Sequence, residues 1–150
     1  MTSRWVSAAT IGTLLACTAC VAPASSTANY QGKAGHTASA ALSELETARL
    51  ATETARRGRM LRTTLEIMLS QAEDAFSSIE ATFDSIQPPN TQEADRVRDK
   101  LDQILAAGLD GITRMRIAVR RNDTGDLYAT STDLDKISQQ LQAFSEQPGA

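Results

Sequence analysis

Residues 65–89 have the sequence LEIMLSQAEDAFSSIEATFDSIQPP, and this stretch decides the fold. Apolar side chains recur in it at spacings of three and four, which is the pattern of a helix with one buried face. Pro88 and Pro89 end the helix, because proline has no backbone N–H and disfavours helical geometry in the residue before it. With the residue Leu61 that precedes the stretch, the apolar positions are Leu61, Leu65, Met68, Leu69, Ala72, Ala75, Phe76, Ile79, Phe83 and Ile86. We predict that this segment is the main helix of a helical core.

A weaker apolar face, made mostly of alanine, precedes this segment and predicts a first helix over residues 37–56. The helical register slips between the two segments, at the run Arg56-Arg57-Gly58-Arg59. We expect the chain to turn at Gly58, because helices average about 11 or 12 residues and very long ones need coiled-coil support. The alternative is one helix of roughly 50 residues with a weak point at Gly58.

Two further helices are predicted after the prolines. Asn90 and Glu93 have the spacing of a capped helix start, and the polar run NDTG at residues 122–125 ends that third helix. Residues 127–144 then carry a heptad-like apolar seam. Aromatic residues are scarce, at one Trp, two Tyr and three Phe, whereas residues that favour helix are plentiful. The sequence therefore predicts an all-α fold: an antiparallel up-down helical bundle of four helices or, if the first helix is long, of three.

The beginning of the chain has the pattern of a signal peptide over residues 1–16. Arg4 supplies positive charge, and an apolar run of about 12 residues follows, which is too short for a bilayer because a spanning helix needs about 20. Residues 17–36 are rich in Ala, Ser, Thr and Gly, so we expect a flexible tether there. The helical bundle domain is then expected in residues 37–147.

Leu14-Leu15-Ala16-Cys17 closely resembles the lipobox of bacterial lipoproteins, in which Leu, a small or aliphatic residue, and Ala or Gly precede a cysteine. The resemblance implies that Cys17 carries a thioether-linked diacylglycerol and anchors the protein to the outer face of the cell membrane. Simple secretion is the alternative, because Ala22-Pro23-Ala24 has the pattern of an ordinary signal-peptidase site. The remaining sequence resembles, in general character only, small helical lipoproteins of Gram-positive actinobacteria, and this second resemblance implies no functional residue.

Arginines are unevenly distributed along the chain, although the net charge is only −3. When the second and third helices are paired about the prolines, Arg62 falls level with Arg116, and Arg57 with Arg121. This pairing gathers the arginines toward one end of the bundle. A basic end of this kind suits polyanions of the cell envelope, for example phospholipid head groups or phosphate-bearing glycopolymers. The alternative is a solvated end partly neutralised by aspartates, because charge runs are usually solvated faces. The arginines expected at this end are Arg56, Arg57, Arg59, Arg62, Arg114, Arg116, Arg120 and Arg121.

Sequence patterns of catalysis and metal binding are missing. A di-iron bundle needs Glu-x-x-His pairs, but the single histidine, His36, falls in the expected tether. There is no G-x-S-x-G motif, Walker loop or calcium-binding loop. We therefore expect no enzyme, no metal site and no cofactor beyond the lipid on Cys17. We expect no nucleic-acid partner either, because no aromatic residues are interleaved with the basic ones.

Two kinds of role remain. The first is a structural or interaction module of the envelope, anchored to the membrane by lipid, that contacts an envelope protein or an anionic glycopolymer. The second is a module that binds a small apolar ligand between its helices. We favour the first, because Met and Phe at helical spacing more often fill a core than line a pocket. The residues expected to line such a pocket are Met68, Phe76, Ile104, Ile112 and Met115.

Overall fold

Four α-helices make up most of residues 24–149, the part of the chain that the computed structural model describes. They are α1 (Thr27–Arg56), α2 (Arg62–Asp84), α3 (Gln92–Arg121) and α4 (Thr124–Glu146). Each helix packs against the next, α4 packs back against α1, and α1 also contacts α3 across the bundle. Residues 24–149 contain no strand. The predicted all-α bundle of four helices is confirmed.

The apolar face predicted for the main helix is the face that α2 buries. Leu65, Leu69, Phe76 and Phe83 each expose 3% or less of their surface. The ring of Phe76 packs directly against Gly108 of α3, where an added Cβ would lie 2.7 Å from Cζ of the ring. Because any larger residue would collide there, this glycine lets α2 and α3 approach closely.

α1 ends in a left-handed turn at Gly58, whose φ is +69°. The N–H of Gly58 donates to the carbonyl of Ala55 at 2.9 Å, and the N–H of Arg59 donates to the carbonyl of Thr54 at 3.1 Å. These two bonds satisfy carbonyls of the last helical turn, and glycine adopts the required left-handed conformation without the strain that a Cβ causes. The turn predicted at Gly58 is confirmed, and the alternative of one long helix is wrong.

α1 begins at Thr27, well before the predicted start at residue 37. Residues 27–36 of the expected tether are therefore helical, and the tether prediction is wrong for them. Tyr30 is completely buried, and its ring centroid lies 5.8 Å from that of Phe83. The hydroxyl of Ser26 caps the helix by accepting a hydrogen bond from the N–H of Asn29. Burial of one aromatic ring thus stabilises as helix a segment whose small residues are typical of a linker.

The two ends of the bundle hold different parts of the chain. One end holds the start of α1, the connection between α2 and α3, and the end of α4; there Oγ1 of Thr27 lies 3.0 Å from Oγ1 of Thr91. The other end holds the connections at residues 57–61 and 122–123, and we call it the turn end. The expected signal peptide, Cys17 and residues 18–23 lie outside the described residues. Within residues 24–149, no helix has an apolar stretch long enough to cross a bilayer.

Candidate functional site at the turn end

The structure places six of the eight predicted arginines at the turn end. They belong to the connection between α1 and α2 or to the helix turns beside the two connections. Over residues 53–66 and 120–126, six arginines face four carboxylates, so these segments carry a net charge of +2 in a chain whose total is −3. The turn end is therefore the basic end of the molecule. Its arginines are Arg56, Arg57, Arg59, Arg62, Arg120 and Arg121.

The other two predicted arginines lie farther along α3, away from the turn end. Arg114 pairs with Asp110 on its own helix, with Nε 3.1 Å from Oδ2. Arg116 pairs with Glu73 across the α2–α3 interface, and Nη2 donates to Oε1 at 3.1 Å. The predicted alignment of Arg116 with Arg62 is wrong. The contact of Phe76 with Gly108 sets the register of α2 against α3. The prediction takes this register from the position of the prolines, which does not show how far one helix is shifted along the other.

Three arginines of the turn end form ion pairs with two carboxylates of the same chain. Nε of Arg56 lies 2.6 Å from Oε2 of Glu53, and Nε of Arg57 lies 2.7 Å from Oε1 of the same residue. Hydrogen bonds from Arg56 and then Arg57 lower the pKa of Glu53 to about 2. Arg120 pairs with Glu66 of α2 at 2.9 Å. These three guanidinium groups are therefore occupied in the folded protein.

Arg59, Arg62 and Arg121 are the unpaired arginines of the turn end. All three are exposed, and none has a carboxylate within ion-pairing distance among residues 24–149. An unpaired guanidinium presents five N–H donors in a planar fork that matches phosphate and carboxylate oxygens. We call these three residues the free arginine group.

The first turn of α2 adds positive potential beside this group. Leu61 occupies the N-cap position, contributes no capping side-chain hydrogen bond, and is followed by no acidic residue in the first turn. The other three helices begin at a capping side chain, from Ser26, Thr91 and Asp123 respectively. The N–H groups at a helix start carry partial positive charge, so the uncapped start of α2 favours an anion near Arg62.

A cavity of about 170 Å³ lies between the two connections of the turn end. Its apolar lining residues are buried or half-buried, whereas Arg62, Asn122 and Thr124 are exposed, so the cavity has an apolar floor and a polar mouth. Sequence patterns gave no sign of it, because its wall is assembled from all four helices. The lining residues are Ala55, Met60, Arg62, Leu65, Ala118, Val119, Asn122, Asp123, Thr124, Leu127 and Tyr128.

The pocket expected between the helices is occupied by the side chains that were expected to line it. Phe76, Ile112 and Met115 expose no surface, and Ile104 exposes 8%. Met68 is half-buried against the same core. These residues fill the core, so the predicted lining of an internal apolar pocket is wrong.

A second polar cluster lies at the opposite end of the bundle. Arg98 donates to the backbone carbonyls of Asp84 at 3.1 Å and Ile86 at 3.3 Å, which ties α3 to the connection that precedes it. The hydroxyl of Tyr30 and Oδ1 of Asp102 are buried there, and neither makes a hydrogen bond of good geometry within residues 24–149. Burial raises the pKa of Asp102, and the nearby carboxylate of Asp84 raises it further, while Arg98 opposes the shift. Sequence patterns did not indicate this cluster.

Residues 24–149 form no metal site at either end of the bundle. Within the described part of the chain, no group of three or more His, Cys, Asp or Glu side chains is arranged to hold an ion. His36 is an exposed residue of α1. The features that remain available for recognition at the turn end are the free arginine group, the uncapped start of α2 and the cavity.

Comparison with known proteins finds no match: no family model fits the sequence, and no curated protein or solved structure is similar to it.

Proposed function

We propose that this chain is a lipid-anchored extracytoplasmic protein that acts, without catalysis, as an interaction module of the cell envelope. Its partner is a phosphate-bearing glycopolymer, which it binds through the turn end. The anchor in this proposal is the diacylglycerol on Cys17 that the lipobox resemblance implies. The proposal needs no metal, cofactor or nucleic acid.

The free arginine group is the observation that carries the proposal. Arg59, Arg62 and Arg121 lie at one end of the bundle without a carboxylate partner among residues 24–149, while the neighbouring Arg56, Arg57 and Arg120 are paired. Charges of alternating sign along a helix face are typical of a solvent-exposed face with many ion pairs. Three arginines that stay unpaired together favour the binding of an anion that carries several charges, because each added phosphate contact is a charge-assisted hydrogen bond.

The orientation of the bundle supports a polymer over the lipid surface as the partner. α1 has 30 residues and runs from the opposite end of the bundle to the turn end. At 1.5 Å per residue, α1 is about 45 Å long. A chain anchored through Cys17, which precedes α1, would therefore hold its arginines on the side away from the membrane. Polymers of the cell wall, unlike the head groups of the anchoring membrane, are within reach of that side.

Binding of the purified full chain to a glycerol-phosphate polymer tests the proposal. We expect binding that weakens as salt is added, because dissolved ions screen the attraction between exposed charges. At 0.1 M salt this attraction is largely lost beyond about 10 Å. Replacing Arg59, Arg62 and Arg121 together by alanine should weaken binding at least about tenfold, since hydrogen bonds to charged groups contribute about 1.5 to 3 kcal/mol each.

The matched control replaces Arg96, Arg114 and Lys136 by alanine, which changes the net charge equally but leaves the turn end intact. We expect this variant to bind like the parent chain. Equal losses in the two triple variants would mean that only net charge matters, and the proposal would be wrong. Binding to anionic vesicles that is as tight as binding to the polymer would contradict the choice of partner.

A further inference from the structure

The cavity at the turn end has a size that suits one small apolar group. Its volume is about 170 Å³. A dry apolar cavity of about 150 Å³ in a protein core can bind benzene, so the space here admits a six-membered ring or a short branched alkyl group. An apolar chain of many carbons would not fit inside it. The volume therefore limits the apolar part of any ligand to about one ring.

The wall of the cavity changes from apolar to polar toward solvent. Leu65, Ala118 and Leu127 are buried, whereas Arg62 and Asn122 are exposed at the mouth. A ligand that fills such a site needs an apolar body inside the cavity and a polar head at its mouth. The arrangement therefore favours an amphiphilic molecule over a purely apolar one.

The charge at the mouth selects the sign of the polar head. Arg62 lines the cavity and has no carboxylate partner among residues 24–149. Asp123 also lines the cavity and keeps its negative charge, but its Oδ1 accepts the N–H of Asp126, with 3.0 Å between Oδ1 and N, so this carboxylate is held at the start of α4, where the helix N–H groups stabilise it. Arg62 is the one cationic side chain among the lining residues, so it is the group that can pair with an anionic head. Its guanidinium fork fits a phosphate with two parallel hydrogen bonds.

From these observations we infer that the cavity binds a small organic phosphate monoester, whose apolar group of about one ring enters the cavity while Arg62 holds the phosphate. This inference goes beyond the proposed function, since it names a second ligand class for the same turn end. A polymer phosphate needs only the free arginine group, whereas the monoester also needs the space between the helices.

Calorimetric titration of the full chain with phenyl phosphate, inorganic phosphate and benzyl alcohol tests the inference. Phenyl phosphate should bind at least about tenfold more tightly than inorganic phosphate, because burial of a ring removes apolar surface from water. Benzyl alcohol, which lacks the charge, should bind more weakly than phenyl phosphate. Phenyl phosphate that binds no better than inorganic phosphate would overturn the inference.

Filling the cavity provides the sharpest variant. Ala55 is half-buried in the wall, and Ala55→Leu introduces a good helix former that occupies the space. This change should remove the advantage of phenyl phosphate over inorganic phosphate, whereas the control Ala55→Ser should keep it. Ala118→Leu fills the same space from α3 and serves if the first variant melts at a lower temperature than the parent. Unchanged phenyl phosphate binding in a folded filled variant would also overturn the inference.

The two proposals fail in different ways. If the glycerol-phosphate polymer binds through the free arginine group but phenyl phosphate binds no more tightly than inorganic phosphate, only the cavity inference is wrong. If phenyl phosphate shows its advantage and loses it in Ala55→Leu while the polymer does not bind, only the proposed function is wrong.

Discussion

Glu73 of α2 and Arg116 of α3 form a two-pronged ion pair across the helix interface, and their side chains are only 18% and 19% exposed. The hydroxyl of Thr113 donates a third hydrogen bond to the same carboxylate at 2.7 Å. Burial alone would raise the pKa of Glu73, but the hydrogen bonds from Arg116 and Thr113 outweigh it and hold that pKa below its ordinary value. One of the arginines predicted for the basic end therefore joins α2 to α3.

Replacing Arg116 by alanine should destabilise the bundle. The change leaves the carboxylate of Glu73 without its charged partner in a largely buried place, and we expect the free energy of unfolding to fall by about 2 kcal/mol. Urea denaturation followed by circular dichroism measures this loss. Arg114→Ala is the control, because its pair with Asp110 is half-exposed and should contribute less than about 1 kcal/mol. Equal losses in the two variants would contradict the structural role of Arg116.

Acidification should destabilise the protein through Glu73. A carboxyl group whose pKa is lower in the folded than in the unfolded chain stabilises the fold above the unfolded pKa, and this contribution is lost as the pH falls toward the folded pKa. The free energy of unfolding should therefore decrease below about pH 5, and Glu73→Gln should make this decrease shallower. Urea denaturation at a series of pH values measures both slopes.

Asp102 provides a control of opposite sign for the same experiment. Its pKa is raised in the folded chain, chiefly by burial, so its contribution to stability improves as the pH falls. Asp102→Asn removes this compensating gain, so the free energy of unfolding should decrease more steeply as the pH falls. A decrease that Glu73→Gln leaves unchanged would show that other carboxylates dominate the acid response.

Truncating Tyr30 tests whether residues 27–36 are packed helix. Tyr30→Ala removes a completely buried ring that contacts Phe83, so we expect the free energy of unfolding to fall by about 3 kcal/mol or more. Tyr30→Phe should cost little, because the buried hydroxyl makes no hydrogen bond of good geometry. Thermal unfolding of both variants measures the difference. A flexible tether over these residues would instead leave the stability of Tyr30→Ala unchanged.

Two glycines in exposed positions should respond to alanine in opposite directions. Gly58 has φ +69° and no atom near an added Cβ, so Gly58→Ala should cost about 1 kcal/mol through backbone strain alone. Gly32 lies within α1, also with open space around it, and Gly32→Ala should stabilise the helix by about 0.5 to 1 kcal/mol. Urea denaturation of the two variants measures the changes. The same sign for both would contradict the left-handed turn.

Replacing Cys17 should release the protein from the membrane if the lipobox resemblance holds. We expect the parent chain in the membrane fraction of a bacterial host, with a mass increase from diacylglycerol at Cys17, and Cys17→Ser in the soluble extracytoplasmic fraction. Cys20→Ser is the control and should fractionate like the parent chain. Membrane association that survives Cys17→Ser would contradict lipidation at that residue.

Features set by nearby residues were predictable from the sequence. The repeat of apolar residues around Phe76 indicated a buried helix face. As expected, α2 ends before Pro88, at Asp84. Gly58 marked the turn, because the register slip and the one residue suited to a positive φ coincide there. Local preferences do not show what a segment packs against, so the low-apolar composition before residue 37 hid the helix that Tyr30 stabilises.

The sequence by itself determined the all-α class, the turn at Gly58 and the clustering of arginines toward one end, because helical periodicity and turn chemistry depend on neighbours along the chain. The tertiary structure alone decided which arginines are free. Arg116 and Arg120 reach carboxylates of α2, more than 40 residues away in the chain, and Arg59, Arg62 and Arg121 reach none in the part that the structure describes. The offset between α2 and α3, set where Phe76 meets Gly108, determines these pairs and leaves the cavity beside Arg62.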